Sequence, residues 1–201
     1  MPSWELELAA KENGYSAVCG CDEAGAGPLA GRVYAAAVIL PEGLELPELD
    51  DSKKLSEKRR ELLYDQIAAQ AVAWAIAWVE PEEIDEINIL NSRIKAMQMA
   101  VDSLSPQAEF ALVDGNRDHG DRYAVKTPHK LIVKGDGLSV SIAAASVMAK
   151  VSRDRYMVEM AGLYPNYEFE RHKGYGTKRH YELLQEFGPC PIHRRSFLKK
   201  L

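Results

Sequence analysis

Short apolar runs bounded by glycine and aspartate alternate along this chain with stretches whose apolar residues recur every three or four positions. Met1 to Gly14 is polar and helix-compatible. Ala17 to Cys21 reads as a strand ending at the carboxylates Asp22 and Glu23, and beyond a glycine-rich turn Arg32 to Leu40 reads as its neighbour in a sheet. Ser56 before Glu57-Lys58-Arg59-Arg60 caps a helix to about Gln70. Ala71 to Val79 is the next strand, and Pro81-Glu82-Glu83 opens one or two helices whose apolar positions Ile84, Ile87, Ile94, Met97 and Val101 extend to about Leu104. Phe110 to Val113 and Leu131 to Val133 are short strands, ending in Asp114-Gly115 and Lys134-Gly135-Asp136-Gly137. From Ser139 a small-residue helix leads through Ile142-Ala143-Ala144-Ala145-Ser146 to Lys150 and Arg153, and the aromatic, basic tail holds a helix from about Thr177 to Phe187. This order predicts an α/β domain with a mixed central β-sheet flanked by helices, and a helical C-terminal extension.

The length of 201 residues suits one domain, or one domain with a small appendage, and 46% hydrophobic with 27% charged residues excludes disorder as the main state. The most apolar stretches, Val33 to Leu40 and Ala71 to Val79, fall far short of the ~20 residues of a membrane helix. Glu5, Glu7, Lys11 and Glu12 leave no room for a signal peptide, so a cytoplasmic location is expected. Cys19, Cys21 and Cys190 suggest neither a disulfide framework nor a zinc site and read as buried thiols. The net charge of -5 argues at first against a polyanionic partner. It is unevenly spread: Lys150 to Leu201 carries eleven Lys and Arg against six Asp and Glu, a balance of +5. Such an asymmetry suits a protein that holds cations in one place and phosphates in another, although charge alone also fluctuates along any chain.

Three strands that stop at an aspartate can gather Asp22, Glu23, Asp114 and Asp136 at one edge of an α/β sheet. Neighbouring carboxylates repel until protons or a cation neutralise them, and oxygen ligands without His or Cys point to Mg²⁺ or Mn²⁺. Each Asp-Gly alone is a common turn, and on spacing alone the turn and the cation readings both stand. Side chains alternate along a strand, so Asp22 and Glu23 can share a site only if the strand has ended or bulged there. The run Gly25-Ala26-Gly27-Pro28-Leu29-Ala30-Gly31 lacks the spacing and the following helix of a dinucleotide fingerprint, and no P-loop is present. It can serve as a tight turn, or it can bring backbone N–H groups close to a ribose or a phosphate.

The stretch from Asp22-Glu23-Ala24-Gly25 to Gly27-Pro28-Leu29-Ala30-Gly31 resembles the signature of the type 2 ribonucleases H, specifically bacterial ribonuclease HII. The similarity continues through Asp51-Ser52-Lys53-Lys54-Leu55-Ser56, Asp114-Gly115-Asn116, Lys134-Gly135-Asp136, Ser141 to Ser146, Ala149-Lys150-Val151, Arg153-Asp154, His172-Lys173-Gly174-Tyr175 and Arg194-Arg195-Ser196-Phe197. It extends in the family's order from about Gly14 to the C-terminus. The related ribonuclease HIII carries an extra N-terminal domain for which this chain has no room.

The resemblance implies an RNase H-like catalytic domain over residues 1–160, with 161–201 a helical substrate-binding segment packed on the same single domain. It implies an endonuclease that cuts the RNA strand of RNA/DNA hybrids and the 5′ side of single ribonucleotides embedded in DNA, by two-metal-ion catalysis that leaves 3′-hydroxyl and 5′-phosphate ends. Asp22, Glu23, Asp114 and Asp136 would hold Mg²⁺ or Mn²⁺. Gly25 and Gly27 would read ribose 2′-hydroxyls through the backbone, and Tyr175 would stack on the sugar at the RNA-to-DNA junction. Lys53, Ser146, Lys150, Arg153, Lys173, Arg194 and Arg195 would contact phosphates. The partners implied are RNA/DNA hybrid and ribonucleotide-containing duplex DNA, engaged by a monomer. The family leaves room for a sliding clamp, for which the Lys199-Lys200-Leu201 terminus offers no convincing binding peptide.

Two departures stand out. The family usually has Gly-Arg-Gly where this chain has Gly25-Ala26-Gly27, and Gly176 stands where a proline is common. The first implies an active but weaker or less junction-selective enzyme. Two other readings compete: a nuclease of the same superfold acting on branched DNA, and a non-enzymatic duplex-binding module whose carboxylates are only turns. Among the remaining residues, His172 reads as an acid, a phosphate ligand or a structural group. His119, His129, His180 and His193 read as surface or capping groups, and Trp74 and Trp78 as packing.

Overall fold

A computed structural model describes residues 1–198, so the Lys199-Lys200-Leu201 terminus lies outside the described residues. Five strands, β1 (Val18–Ala24), β2 (Val33–Ile39), β3 (Ala73–Val79), β4 (Phe110–Asp114) and β5 (His129–Ile132), form one sheet in the order β3-β2-β1-β4-β5. The β3-β2-β1 half is antiparallel and the β1-β4-β5 half is parallel. The helices are α1 (Glu5–Glu12), α2 (Glu57–Gln70), α3 (Pro81–Asp102), α4 (Val140–Leu163), α5 (Phe169–His172) and α6 (Lys178–Phe187). Ser56, Ser139 and Thr177 each accept a hydrogen bond from the first turn of the helix they precede. α3 is two helical runs joined at Asn88, whose φ of 64° breaks the helical geometry.

Alternation along the strands decides which helix covers which face. Cys19, Cys21, Ala35, Ala37, Ala75, Ala77 and Val113 face α3 and pack with Ile84, Ile94, Met97 and Val101. Ala36 and Val38 face the other way, onto Ala143, Ala144, Val147 and Met148 of α4 and Leu63 and Ile67 of α2. The small residues of α4 let it lie close to the sheet. Gly20 sets the distance, because a Cβ there would lie 2.0 Å from the backbone carbon of Ser141. The buried carboxylate of Glu7 reaches the start of α4 from α1, where its Oε1 accepts from the Ser141 N–H at 2.9 Å and the Ser141 hydroxyl at 2.6 Å.

Beyond α4, Tyr167, Phe169, Leu183, Leu184 and Ile192 pack on Leu29, Ala30, Tyr34, Tyr156 and Met157. The C-terminal elements are thereby placed beside the glycine-rich turn that follows β1. The three cysteines are free and buried, as their spacing predicts. Trp74 and Trp78, read as packing, lie against Tyr64 and Tyr34 and keep about two-fifths of their surface exposed. No helix of the described residues is long and apolar enough to cross a membrane.

Candidate active site

The sequence reading ended the first strand at Asp22; the structure corrects this. β1 runs on through both carboxylates to Ala24, with Asp22 opposite Ala36 and Glu23 opposite Ala35 of β2. The two side chains therefore lie on opposite faces of the sheet. Asp22 faces α4, where Ser146 lines the same cleft. Glu23 meets Arg93 of α3, whose guanidinium donates to Oε1 at 2.6 Å. They share one cleft because the parallel neighbour stops first. β4 pairs with β1 only as far as Val113 opposite Cys21, so Asp114 at its end stands level with Asp22 at the free edge of β1. Asp136 arrives differently, on a 3₁₀ turn, Gly135–Gly137, entered through Lys134 in the left-handed region. The Gly135 N–H donates to Asp114 Oδ1 at 2.6 Å and ties the last two carboxylates together.

Burial raises the pKa of Asp22 well above the usual range, and the charges of Glu23 and Asp114 add to it against the Ser146 and backbone hydrogen bonds. Burial likewise raises Glu23, with Arg93 opposing, and raises Asp136, with Asp51 and Asp114 adding and Lys53 opposing. The cleft thus concentrates more negative charge than it neutralises. Among the described residues no three His, Cys, Asp or Glu converge on one point at ligand distance. Glu23 is held to Arg93, Asp114 to the Gly135 N–H and Asp136 lies 3.7 Å from Lys53 Nζ. The donor set nevertheless fits a hard cation. It is all oxygen, its charging is opposed by its own members, and Glu23 Oε2 is buried with no hydrogen-bond partner. Mg²⁺ keeps several waters, so it does not require a closed protein cage.

A cleft of about 210 Å³ is lined by Asp22, Glu23, Asp114, Gly25, Ala26, Gly27, Ser52, Lys53, Ser146, Lys150 and Tyr175. It brings together residues from β1, β4, α4, the turn after β1 and the C-terminal segment. A groove of about 650 Å³ adjoins it through Asp114 and Lys53 and is lined by Asp51, Lys54, Lys134 and Asp136. The Tyr175 ring lies against the glycine turn, 4.0 Å from where a Gly27 Cβ would stand, and Lys150 Nζ is 6.0 Å from the ring centre. Lys150 also donates to Asp154 at 2.7 Å, Lys173 donates to the Glu170 carbonyl, and Arg195 is exposed.

Two expected phosphate contacts are corrected. Arg194 is fully buried, and its guanidinium donates to the carbonyls of Gly25, Ala26, Pro28 and Gly31 at 2.7 to 3.1 Å. Arg153 is also fully buried and donates to the carbonyls of Ala30, Arg32 and Lys173. Neither can present its charge to a duplex; both hold the glycine turn from behind. Because a trans peptide points its C=O and N–H in opposite directions, fixing the Gly25 and Ala26 carbonyls on Arg194 turns the N–H groups of Ala26 and Gly27 away from it. Gly25 lies directly on Arg153: at φ +93° an added Cβ would stand 2.1 Å from Arg153 Nε.

The sequence reading missed Arg93, Asp51 and Ser52. Nothing in the periodicity of α3 marks Arg93. Asp51 and Ser52 lie in a motif of which only the lysine was assigned a role, yet Asp51 lines the groove with Asp136 and its charge raises the pKa of that carboxyl, and the Ser52 hydroxyl lies 2.9 Å from that of Ser146. His180 and His193, read as surface or capping groups, are buried in the C-terminal core.

A family model described as Ribonuclease HII matches residues 19–200. Ribonuclease HII of Caldicellulosiruptor saccharolyticus is 47% identical over 98% of this chain and 95% of its own length, and that of Idiomarina loihiensis is 54% identical over 90% and 94%. Among solved structures, the ribonuclease HII of Archaeoglobus fulgidus, in its complex with PCNA, superposes with a TM-score of 0.75 at 26% identity, covering 89% of this chain and 94% of that one.

Proposed function

The chain belongs to the ribonuclease HII family, hydrolases that act on the RNA of RNA/DNA hybrids, and on that footing we propose that it nicks duplex DNA on the 5′ side of single embedded ribonucleotides by two-metal-ion chemistry. The observation that carries this reading is the single cleft in which Asp22, Glu23 and Asp114 face the backbone of Gly25 to Gly27 and the ring of Tyr175, with Asp136 on the adjoining wall.

In this reading Asp22, Glu23, Asp114 and Asp136 hold Mg²⁺ or Mn²⁺, which when bound would activate water and stabilise the leaving 3′ oxygen. The chain's own groups do the rest. Asp22 is kept from moving by β1 and by its bond from the Glu23 N–H at 2.7 Å. Glu23 spends one oxygen on Arg93 and offers the other. The backbone of Gly25 and Gly27 approaches a ribose 2′-hydroxyl, a contact that deoxyribose cannot return. Tyr175 stacks on the sugar of the following deoxynucleotide. Lys53, Ser146, Lys150, Lys173 and Arg195 hold phosphates on either side, while Arg153 and Arg194 maintain the turn that reads the ribose.

Asp22→Asn and Asp114→Asn are expected to abolish cleavage of a duplex with one ribonucleotide while leaving gel-shift binding within about threefold, since one carboxylate contributes to the metal site and not to phosphate contact. Cleavage at the wild-type rate by either variant contradicts the assignment.

A further inference from the structure

His193 Nδ1 lies 2.9 Å from the backbone N–H of Cys190 and 3.1 Å from its thiol. A ring nitrogen that accepts an N–H carries no proton, so the proton of the neutral ring is on Nε2. The opposite tautomer would donate to the Cys190 carbonyl at 3.3 Å and set two N–H groups against each other. His193 Nε2 is 3.0 Å from His180 Nε2, so His193 donates and His180 accepts. The proton of His180 is therefore on Nδ1, which donates to the carbonyl of Tyr175 at 2.9 Å. One backbone amide at Cys190 thus fixes two tautomers in series and ends as a hydrogen bond on the residue whose ring lines the cleft.

The surroundings keep this chain dry and aligned. His172 stacks on His180 with ring centres 4.3 Å apart, donates to the Tyr167 carbonyl at 2.7 Å and accepts the Gly174 N–H at 3.1 Å. Phe169 meets His172 and His180 edge to face. Tyr175 itself is 43% exposed and its position is set from its backbone: its N–H donates to the His172 carbonyl at 2.9 Å, and its carbonyl accepts both from the Thr177 N–H at 2.8 Å and from His180. Gly176 follows, where a proline would stiffen the chain from within, so the two bonds on the Tyr175 carbonyl, one from the Thr177 N–H and one from the His180 side chain, carry more of that task.

We infer that the His193–His180 hydrogen-bond chain, beside the Thr177 N–H, positions Tyr175 and sets how strongly the enzyme favours a single ribonucleotide in DNA over a continuous hybrid. The inference rests on the assignment of Tyr175 to the junction sugar. His180 and His193 act through Tyr175 and touch no substrate.

The test compares kcat/KM on a DNA duplex carrying one ribonucleotide with kcat/KM on a continuous RNA/DNA hybrid. In His180→Asn the amide nitrogen can stand where Nδ1 does, whereas in His180→Gln it reaches the Nε2 position. The Gln variant should lose about fivefold in the ratio of the two values, the size of one hydrogen bond, and the Asn variant should stay within about twofold of wild type. His193→Phe should follow the Gln variant. A purely structural role would lower both rates together and leave the ratio unmoved, which would overturn the proposal. Tyr175→Ala is measured in parallel. If it leaves the ratio unchanged, the assignment of Tyr175 fails and the proposal with it. If it collapses the ratio while His180→Gln does not, the chain alone is wrong. Long-range ¹H–¹⁵N spectra of the wild-type protein give a readout that no variant's folding can obscure: Nδ1–H on His180 and Nε2–H on His193 are expected, and the reverse pair would overturn the proposal.

Discussion

Arg93 neutralises Glu23 before any ligand arrives. Only one oxygen of that carboxylate is satisfied, so Arg93→Met leaves a buried charge unpaired and should lower the stability of the metal-free protein by about 1–3 kcal/mol. A divalent cation restores the neutralisation, so Mn²⁺ should raise the Tm of this variant by more than it raises that of wild type; an equal rise would show that Glu23 does not meet the ion. Ala26 stands where the resemblance leads one to expect an arginine. Its carbonyl is held by Arg194, so the turn stays in place with an alanine there, and an arginine would add one cationic contact. Ala26→Arg should raise kcat/KM on a single-ribonucleotide duplex about tenfold or more, the lower end of a charge-assisted hydrogen bond. No gain in a steady-state assay would show that the contact is made by another group. The meeting of Asp22, Glu23 and Asp114 in one cleft was legible in the sequence because apolar runs lead into them; Asp136 stands on the adjoining 3₁₀ turn. Arg93 was not legible, because an arginine on a helix surface carries no mark of the strand it will face. Arg153 and Arg194 were visible but misassigned, since a motif shows a residue's identity and not whether its guanidinium points to solvent or to backbone carbonyls.

At the level of elements, most boundaries followed from caps and periodicity, Ser56, Ser139 and Thr177 among them. The continuation of β1 through Asp22 and Glu23 did not. Two carboxylates and two glycines look like a turn, and only pairing with Ala36 and Ala35 on β2 keeps the strand extended. Gly20→Ala should destabilise the protein by about 1–3 kcal/mol, because the new Cβ would meet the backbone of α4 at 2.0 Å. The buried histidines give the C-terminal elements a pH signature. Burial lowers the pKa of His180 and of His193 to about 4, with the charge of His172 adding to the first shift and the charges of His180 and His172 adding to the second. Between there and the ordinary value of about 6.5 the unfolded chain binds protons that the folded chain refuses. Their contribution to stability is therefore complete above about pH 6.5 and is lost as pH falls toward 4. The Tm of wild type should drop more between pH 7 and pH 5 than that of His180→Asn; parallel curves would mean that the ring is not held neutral.

Across the whole molecule, a net charge of -5 coexists with a nucleic-acid substrate because the sign is partitioned. Part of the negative charge is gathered in the cleft of Asp22, Glu23 and Asp114. The positive balance after Ala149 overstates the duplex-facing charge, since Arg153 and Arg194 are buried in the frame of the glycine turn. Lys53, Lys150, Lys173 and Arg195 remain, and about four phosphate contacts imply a slope of about -3 to -4 in a plot of log affinity against log salt. Lys150→Ala should reduce the slope by about one, and Arg153→Ala should weaken binding without changing it. The most direct test of the proposed function is end-labelled cleavage of two otherwise identical DNA duplexes, one with a single ribonucleotide and one without, in Mg²⁺ or Mn²⁺. The account predicts one nick, on the 5′ side of the ribonucleotide, leaving 3′-hydroxyl and 5′-phosphate ends, and none in the all-DNA duplex. Cleavage of both duplexes alike, or of neither, would contradict it.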